Sequence, residues 1–371
     1  MRKKKHLCPF CFHEFDKIPF LCMQSKCRHN QQRQVFYPSK KFFGTEKKAI
    51  CPECGNVSYT IVCPFCSSAL PSDVNNEQKF LIPIIGEGQS GKSTYLGVLI
   101  HEMIHRIAPE YNGGRFEGVN DAFQRYQMMY EDLLYNGVSV CSSYQNNPML
   151  FRYKYRVGKR IMTFDCVFYD SVSEDLMMSY NDMDNVREFW NSVFSHASGI
   201  IFMLDPMSIS SIVNQLDKDW VTRASGGLQE HDGVAGDIIS RVSRLIRNAN
   251  GMREEQKIDI PVAAVFSKYD AFEKLVPEDA TVRRASPHCK KGKFDDADRI
   301  AVDSEIAALL DEWGARSFTS QLENNYKTYS YFAVSALGLD NNPSSHRFNT
   351  PHPHRIEDPI LWLMKENRII K

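Results

Sequence analysis

The sequence lacks three features: an excess of charge of one sign, a membrane-spanning apolar run and a signal peptide. Lysine and arginine number 45, and aspartate and glutamate also number 45, so the formal net charge is zero. No apolar run reaches the roughly 18–20 residues that cross a bilayer. The basic start, Met-Arg-Lys-Lys-Lys-His, is not followed by the apolar stretch of a signal peptide. We therefore expect a cytoplasmic protein without a membrane partner.

Cysteine is scarce after residue 66 and concentrated before it. Eight of the eleven cysteines form the pairs Cys8/Cys11, Cys22/Cys27, Cys51/Cys54 and Cys63/Cys66. Without a secretion signal, disulfides are not expected. Pairs with this spacing point two thiolates at one ion, and four thiolates complete a tetrahedral zinc shell. We predict two Zn²⁺ ions in a cysteine-knuckle module over residues 1–72, with an iron–sulfur cluster as the less favoured alternative.

The simplest pairing of these ligands is sequential. One ion would take Cys8, Cys11, Cys22 and Cys27, and the other Cys51, Cys54, Cys63 and Cys66, while a cross-braced pairing stays open. A segment this small buries little core, so zinc would supply its folding energy. Residues 1–50 hold twelve Lys and Arg against three Asp and Glu, but zinc-bound thiolates offset part of that charge. We therefore favour a protein-docking platform over a nucleic-acid reader.

A phosphate-binding loop follows the apolar run 80–85. Residues 86–93 read Gly-Glu-Gly-Gln-Ser-Gly-Lys-Ser and fit G-x-x-x-x-G-K-[ST] in full. Glycines let backbone N–H groups close around phosphate oxygens, and the following helix adds its positive dipole end. Lys92 would bridge the terminal phosphates, and Ser93 would place its hydroxyl on Mg²⁺. The predicted phosphate-binding residues are Gly86, Glu87, Gly88, Gln89, Ser90, Gly91, Lys92, Ser93 and Thr94.

A second motif lies in the helix that follows this loop. Residues 101–105, His-Glu-Met-Ile-His, fit H-E-x-x-H, whose two histidines share one helical face as zinc proteases require. The helix already belongs to the phosphate-binding loop, and no third ligand lies at a familiar spacing downstream. Protease chemistry is therefore the disfavoured interpretation.

Apolar runs alternate with helical stretches through the rest of the chain, which predicts a mainly parallel α/β sheet. The expected strands are 161–170, 199–205, 261–266 and 329–334, and the expected helices lie near 184–197, 208–223, 237–252, 300–318 and 356–369. The alternation of polar and apolar residues over 151–157 fits an antiparallel neighbour at a sheet edge. Asp170 ends its strand and is the candidate to reach Mg²⁺ through water. The aperiodic stretches 224–236 and 278–299 are expected to be solvated loops, with partner docking as the alternative.

The order of these motifs resembles the Ras-like GTPase fold of the TRAFAC class over residues 80–371. In that family the strand before the base site ends in [NT]-K-x-D, and residues 267–270, Ser-Lys-Tyr-Asp, are similar at the lysine and the aspartate. The resemblance implies that Asp270 accepts hydrogen bonds from guanine and that the stem of Lys268 lies over the base. The segment similar to the loop whose backbone N–H meets the guanine O6 is Ser335, Ala336 and Leu337. A GTP or GDP site with Mg²⁺ is the implied function.

Two departures from the family pattern concern the switch segments. No threonine lies between residues 94 and 163, so Ser142 or Ser143 would replace the family's first-switch Mg²⁺ ligand. Ser173 stands where the second switch of the family has glycine, and Glu174 stands where Ras-like proteins carry a water-orienting glutamine. A carboxylate beside a triphosphate is repelled, although it could act as a base. We therefore expect slow intrinsic hydrolysis.

Cysteine-knuckle modules before such a domain also resemble the bacterial double-GTPase proteins, proposed members of conflict or defence gene clusters. The resemblance implies a GTP-hydrolysing switch with a protein partner, either a second GTPase subunit or an effector. Two alternatives stay open. An ATP-hydrolysing P-loop protein is one, because Ser267 replaces the usual Asn or Thr. A non-catalytic nucleotide-binding scaffold, with zinc ribbons that contact protein or nucleic acid, is the other, because the second switch is altered.

Overall fold

The computed structural model describes residues 5–38, 48–71, 78–111, 113–136, 148–170, 184–216, 234–289, 292–338 and 351–371. The first two ranges carry three small antiparallel hairpins and one helical turn. These elements are β1 (His6–Leu7), β2 (Glu14–Phe15), β3 (Ala49–Ile50), β4 (Val57–Ser58), β5 (Ile61–Val62), β6 (Ala69–Leu70) and α1 (Arg28–Gln31). Isolated bridges join Phe20 to Phe36 and to Ile61, so the chain folds back on itself within this module.

A seven-stranded sheet lies at the centre of the remaining described residues. Its strands are β7 (Gln78–Gly86), β8 (Arg115–Gly118), β9 (Met149–Val157), β10 (Arg160–Asp170), β11 (Ile200–Leu204), β12 (Val262–Phe266) and β13 (Tyr329–Ala333). Their order is β13-β12-β11-β7-β10-β9-β8. The first five are parallel, whereas β9 and β8 are antiparallel. The predicted mixed α/β class is confirmed, and residues 151–157 form the expected antiparallel neighbour within β9. The prediction that they lie at the sheet edge is wrong, because β8 pairs with the other side of β9 and forms the edge.

Helices connect these strands and flank the sheet. They are α2 (Lys92–Glu102), α3 (Ala108–Glu110), α4 (Ala122–Tyr126), α5 (Asp132–Asn136), α6 (Asp184–His196), α7 (Ser210–Val213), α8 (Val234–Asn250), α9 (Tyr269–Phe272), α10 (Asp296–Glu312), α11 (Arg316–Asn325) and α12 (Asp358–Glu366). Two π-helical turns, Met103–Ile107 and Gln127–Glu131, continue α2 into α3 and α4 into α5. The 3-10 turns are Pro206–Ser208, Glu273–Leu275 and Thr281–Arg283.

Most of the predicted helices have the expected positions. The predicted helix over 300–318 is interrupted at residues 313–315, where Gly314, with φ of 76°, separates α10 from α11. Of the predicted helix over 208–223, the described part forms only the short α7, and residues 217–223 lie outside the described residues. Within the described residues, no helix combines the length and the apolarity that crossing a membrane needs.

Alternate residues of β7 pack on opposite faces of the sheet, as the two-residue period of a strand dictates. Phe80, Ile82 and Ile84 belong to one hydrophobic cluster, together with side chains of α2 and α12. Leu81 and Ile85 belong to the other, together with side chains of α6 and α8. Helices therefore cover both faces, and the carboxyl ends of the parallel strands are left as the edge where loops gather.

The stretch 278–299 is not a solvated loop where the structure describes it, so that prediction is wrong. Val282, His288, Cys289 and Phe294 are all buried, and the rings of His288 and Phe294 stack at 4.0 Å. The apolar residues of this stretch are few and aperiodic, so hydrophobic periodicity did not predict that they are buried. The other such stretch, 224–236, lies outside the described residues up to residue 233.

Candidate functional site

The loop over residues 86–93 joins β7 to the start of α2. A Cβ on Gly86 would meet the carbonyl oxygen of Met203, on the neighbouring β11, at 2.3 Å, so only glycine fits there. Gly91 has φ of 81° and Gln89 has φ of 63°, in the left-handed region that glycine adopts most easily. The chain turns sharply at these positions and enters α2 at Lys92. Because a helix N-terminus carries the positive end of the dipole, the loop is suited to phosphate.

Lys92 and Ser90 fix the inner side of this loop. Lys92 is only 8% exposed, and its Nζ donates to the carbonyl oxygens of Gly86 at 3.1 Å and Glu87 at 2.6 Å. Ser90 Oγ donates to the Glu87 carbonyl at 2.9 Å. Neutral carbonyls satisfy the buried ammonium without cancelling its charge. The exposed positions of the loop are Gly88, Gln89 and Ser93.

The carboxyl group of Glu87 is buried beside the loop. It is 9% exposed, and its Oε1 has no hydrogen-bond partner among the described residues. Burial, followed by repulsion from Asp205, raises the pKa of Glu87 to about 7, while Lys92 and Lys268 act in the opposite direction. A glutamate at this position therefore changes its charge near neutral pH.

A pocket of about 160 Å³ opens next to the loop. Its walls come from the start of α2, from the segment after β12 and from the segment after β13. The lining residues are Gly91, Thr94, Tyr95, Met203, Ser267, Lys268, Asp270, Val334, Ser335, Ala336 and Leu337. Since β12 and β13 are adjacent and parallel, their carboxyl ends meet at one edge of the sheet. The two segments proposed from sequence for the base thus lie together beside the phosphate loop.

Asp270 and Ser335 are joined by a hydrogen bond within this pocket. Ser335 Oγ donates to Asp270 Oδ1 at 2.5 Å and accepts from the backbone N–H of Gly338 at 2.9 Å. A Cβ on Gly338, which has φ of 59°, would lie 2.1 Å from the carbonyl oxygen of His352. The tight turn after β13 therefore sets the position of Ser335, and Ser335 holds the carboxylate of Asp270 at the pocket wall.

Lys268 is held by a residue that sequence reasoning missed. It adopts φ of 54°, and its Nζ donates to Asp205 Oδ2 at 2.6 Å. Asp205 directly follows β11, and its Oδ1 accepts from the backbone N–H of Met207 at 2.9 Å. A signal was present in the sequence, because an acidic residue at the end of a buried strand is placed beside the end of the next parallel strand.

The predicted switch residues are only partly described. Asp170 ends β10, and its backbone pairs opposite Ile84 of β7, which brings this strand end beside the phosphate loop. The side chain of Asp170, together with Ser142, Ser143 and Glu174, lies outside the described residues. The magnesium-binding and catalytic roles expected of these residues stay predictions.

The eight cysteines of the N-terminal module form two tetrads, and the sequential pairing predicted above is wrong. One tetrad is Cys8, Cys11, Cys63 and Cys66, and the other is Cys22, Cys27, Cys51 and Cys54. The pairing is nested: the first knuckle meets the last, and the two inner knuckles meet each other. The bridges from Phe20 to Phe36 and Ile61 fold the chain back and so produce this arrangement.

The spacing of the sulfur atoms fits a tetrahedral zinc ion. A Zn–S bond of about 2.3 Å separates tetrahedral sulfurs by about 3.8 Å. The Sγ–Sγ distances are 3.8 Å for Cys8–Cys66, 3.6 Å for Cys11–Cys63, 3.6 Å for Cys22–Cys54 and 3.7 Å for Cys27–Cys51. The N–H groups of Phe10 and Phe65 each donate to a knuckle sulfur at 3.4 Å. Both tetrads could hold zinc.

Phe12 packs the cysteine module against the central sheet domain. Its side chain is 2% exposed, its ring centroid lies 6.1 Å from that of Phe189 on α6, and it shares a hydrophobic cluster with Trp190. Ser192 Oγ on the same helix donates to the Phe12 carbonyl at 3.4 Å. The module therefore contacts the helix that follows the predicted second switch.

No protein-family model matches the chain. A curated relative is the putative ESX-1 scaffolding and assembly protein SaeC of Mycolicibacterium smegmatis. The two are 23% identical over 328 residues, which cover 81% of this chain and 78% of that protein.

Three solved structures of GTPase type are also similar to this chain. Sup35 complexed with GDP matches at 9% identity and a TM-score of 0.26, over 71% of this chain and 38% of its own. The SRb-GTP/SRX complex of the signal recognition particle receptor from Chaetomium thermophilum matches at 11% identity and a TM-score of 0.28. The match covers 72% of this chain and 95% of that chain. The GTP-bound Ski7 GTPase-like domain of S. cerevisiae matches at 12% identity and a TM-score of 0.33. The match covers 80% of this chain and 51% of that chain. The chain therefore spans little more than a third of the Sup35 chain and half of the Ski7 chain.

Proposed function

We propose that this chain is a switch that binds guanine nucleotides and hydrolyses GTP slowly. The observation that carries the proposal is the pocket in which Lys268, Asp270 and Ser335 lie beside the end of the phosphate-binding loop. One wall, at Gly91 and Thr94, leads to the phosphate site, and another wall presents a carboxylate. A nucleotide needs both features within one cavity.

The carboxylate of Asp270 supports guanine as the base. Guanine presents two donors, N1–H and the N2 amine, and an ionised carboxylate only accepts. Adenine presents an acceptor at N1, so its edge would face the carboxylate with like partial charges. Leaving a buried polar group unsatisfied costs about 1–3 kcal/mol, which is enough for a clear preference. The replacement of the usual Asn or Thr by Ser267 leaves this part of the pocket intact, because Ser267 Oγ donates to the Leu204 carbonyl at 2.9 Å.

The phosphate loop would supply the remaining affinity. Lys92 places a buried positive charge at the loop, and Ser93 and Asp170 are the residues that would hold Mg²⁺. When bound, the ion would neutralise negative charge that develops on the phosphates during hydrolysis. Glu174, as a carboxylate beside the triphosphate, would act as a weak base and keep the unaided rate low, and Ser142 or Ser143 would complete the first switch.

The cysteine module would bind two zinc ions and serve a protein partner. The description of the curated relative as a scaffolding and assembly protein supports a protein partner over a nucleic acid, either a second GTPase subunit or an effector. The same description supports the second candidate function, a scaffold that binds a nucleotide without hydrolysing it. The contact of Phe12 with α6 offers a route by which nucleotide state would reach the module in either case.

A competition experiment tests the proposal. The zinc-loaded protein with Mg²⁺ is titrated with fluorescent GDP, which is then displaced by GTP, GDP or ATP. We expect ATP to be at least about 10-fold weaker than GTP, Lys92→Ala to lose most affinity, and the exposed Lys154→Ala to retain it. If ATP displaced fluorescent GDP as well as GTP does, the assignment of guanine as the bound base would be wrong. Single-turnover hydrolysis then separates the switch from the scaffold, since the scaffold leaves GTP intact.

A further inference from the structure

Two histidines and a glutamate converge at the C-terminal part of α2, about 14 Å along the helix axis from Lys92. The ring centroids of His101 and His105 lie 4.4 Å apart. Glu131, from a different helical segment, places its Oε1 3.7 Å from His101 Nδ1. One ligand atom from each of the three residues falls within 4.8 Å of the others. The fold thus supplies the third ligand that the sequence spacing did not reveal.

Both segments that carry these residues depart from regular α-helix. His105 lies in the π-helical turn Met103–Ile107, and Glu131 ends the π-helical turn Gln127–Glu131. Turns of this kind are rare, occur mostly as single-turn bulges within α-helices, and are frequent at functional sites. The second of these turns packs against α2, and each turn bears one side chain of the cluster.

Neighbouring groups orient the ligands. The Tyr135 ring stacks on His101 with centroids 3.8 Å apart and an interplanar angle of 16°, and the Tyr126 hydroxyl lies 3.2 Å from His101 Nδ1. Both contacts restrict rotation of the His101 ring. Glu131 is 18% exposed, and its Oε2 is buried with no hydrogen-bond partner among the described residues. A bound cation would satisfy that oxygen.

The glutamate of the H-E-x-x-H motif is engaged elsewhere. Glu102 accepts a hydrogen bond from Arg106 Nε, and Arg106 also donates to Glu357 at 3.0 Å. Glu102 therefore has a structural ion pair in place of the water that a protease would need it to activate. The cluster has the ligands of a zinc site without the base of a hydrolase.

We propose that His101, His105 and Glu131 bind one Zn²⁺ ion that links α2 to the helix formed by α4 and α5. Two imidazoles and a carboxylate are a ligand set that zinc accepts, and three protein ligands leave a fourth position for water. His105 is exposed, which gives the ion a path from solvent. The site is separate from the cysteine tetrads and from the nucleotide pocket, and it stabilises the helix that carries the phosphate loop.

Zinc content per chain tests this site directly. The full-length protein is saturated with zinc, freed of excess by dialysis and analysed by mass spectrometry beside His105→Ala, Glu131→Gln and the control His196→Ala. We expect the first two variants to hold one zinc fewer than the wild type and the control to hold the same number. The test uses the difference in zinc content between each variant and the wild type. It therefore does not depend on how fully the cysteine tetrads are occupied.

A cobalt titration shows which ligands are involved. Co²⁺ at the tetrads gives thiolate charge-transfer absorption, whereas Co²⁺ at His101, His105 and Glu131 gives only weak visible bands. We expect a thiolate-free phase in the wild type whose affinity falls at least about 10-fold in His105→Ala and in Glu131→Gln. Equal zinc content in all four proteins, or a thiolate-free phase equally tight in the variants, means adventitious metal only and overturns the proposal.

Discussion

Lys268 Nζ lies 2.6 Å from Asp205 Oδ2, and this ion pair joins the ends of two adjacent parallel strands, β11 and β12. Lys268 adopts the left-handed backbone conformation, which costs about 1–2 kcal/mol for a residue with a Cβ. The pair fixes the lysine stem along the pocket wall. The conformation of the pocket proposed for the base therefore depends on a residue that does not itself line the pocket.

Asp205→Asn should weaken GDP binding. The substitution replaces a charge-assisted hydrogen bond, worth about 1.5–3 kcal/mol, by a weaker one, and releases the Lys268 stem. We expect a roughly 10-fold higher dissociation constant, measured by fluorescence with labelled GDP. Asp259→Asn is the control, because its carboxylate is 79% exposed and pairs only at the surface. Equal loss in both variants would contradict the role given to Asp205.

The nested pairing of the cysteines predicts that two double variants lose different numbers of zinc ions. Cys11→Ser with Cys66→Ser removes two ligands from one tetrad, so one zinc should be lost. Cys11→Ser with Cys27→Ser damages both tetrads, so two should be lost. A sequential pairing predicts the reverse, and metal analysis of the two purified proteins distinguishes the two arrangements.

Phe12→Ala should detach the cysteine module from α6. Removing a buried phenylalanine ring costs about 3–5 kcal/mol, so we expect a fall of that order in the free energy of unfolding. Hydrogen exchange of α6 should become faster. Phe65→Ala removes the same ring from a position that is 58% exposed and should change stability by less than about 0.5 kcal/mol. Similar effects of the two variants would show that the module does not pack through Phe12.

Glu87 should make stability depend on pH. Its pKa is raised from 4.5 to about 7, so the folded state binds the proton more tightly than the unfolded chain does. The stabilisation is complete below about pH 4.5 and is lost as the pH rises through 7. Glu87→Gln should therefore be more stable than the wild type at pH 8, by about 3 kcal/mol at most. In denaturant unfolding, the difference should close toward pH 5.

Local patterns predicted the parts of this fold that depend on neighbouring residues. The phosphate loop is one, because Gly86 and Gly91 are required by contacts and backbone angles within the loop and its adjoining strand. The meeting of residues 267–270 with 335–337 is another, because adjacent parallel strands bring their carboxyl ends to one edge.

Contacts between residues far apart in the sequence determine the features that the sequence did not predict. The cysteine pairing depends on the bridges from Phe20 to Phe36 and to Ile61, and no spacing rule encodes them. Glu131 meets His101 only because the π-helical turn Gln127–Glu131 and α5 pack against α2. The break at Gly314 is local, but a single glycine in a helical pattern does not by itself distinguish a helix end from a tolerated interior position.

The central claim is that Asp270 reads guanine, and exchange of its hydrogen-bonding character tests that claim most directly. Xanthine carries a carbonyl oxygen where guanine carries the N2 amine, so an amide donor suits it better than a carboxylate. Binding of GTP and xanthosine triphosphate is measured for the wild type and Asp270→Asn with Mg²⁺ present. We expect the variant to lose at least about 10-fold in GTP affinity and to gain affinity for xanthosine triphosphate. Unchanged GTP affinity and no gain for xanthosine triphosphate would contradict the assignment of the pocket to guanine.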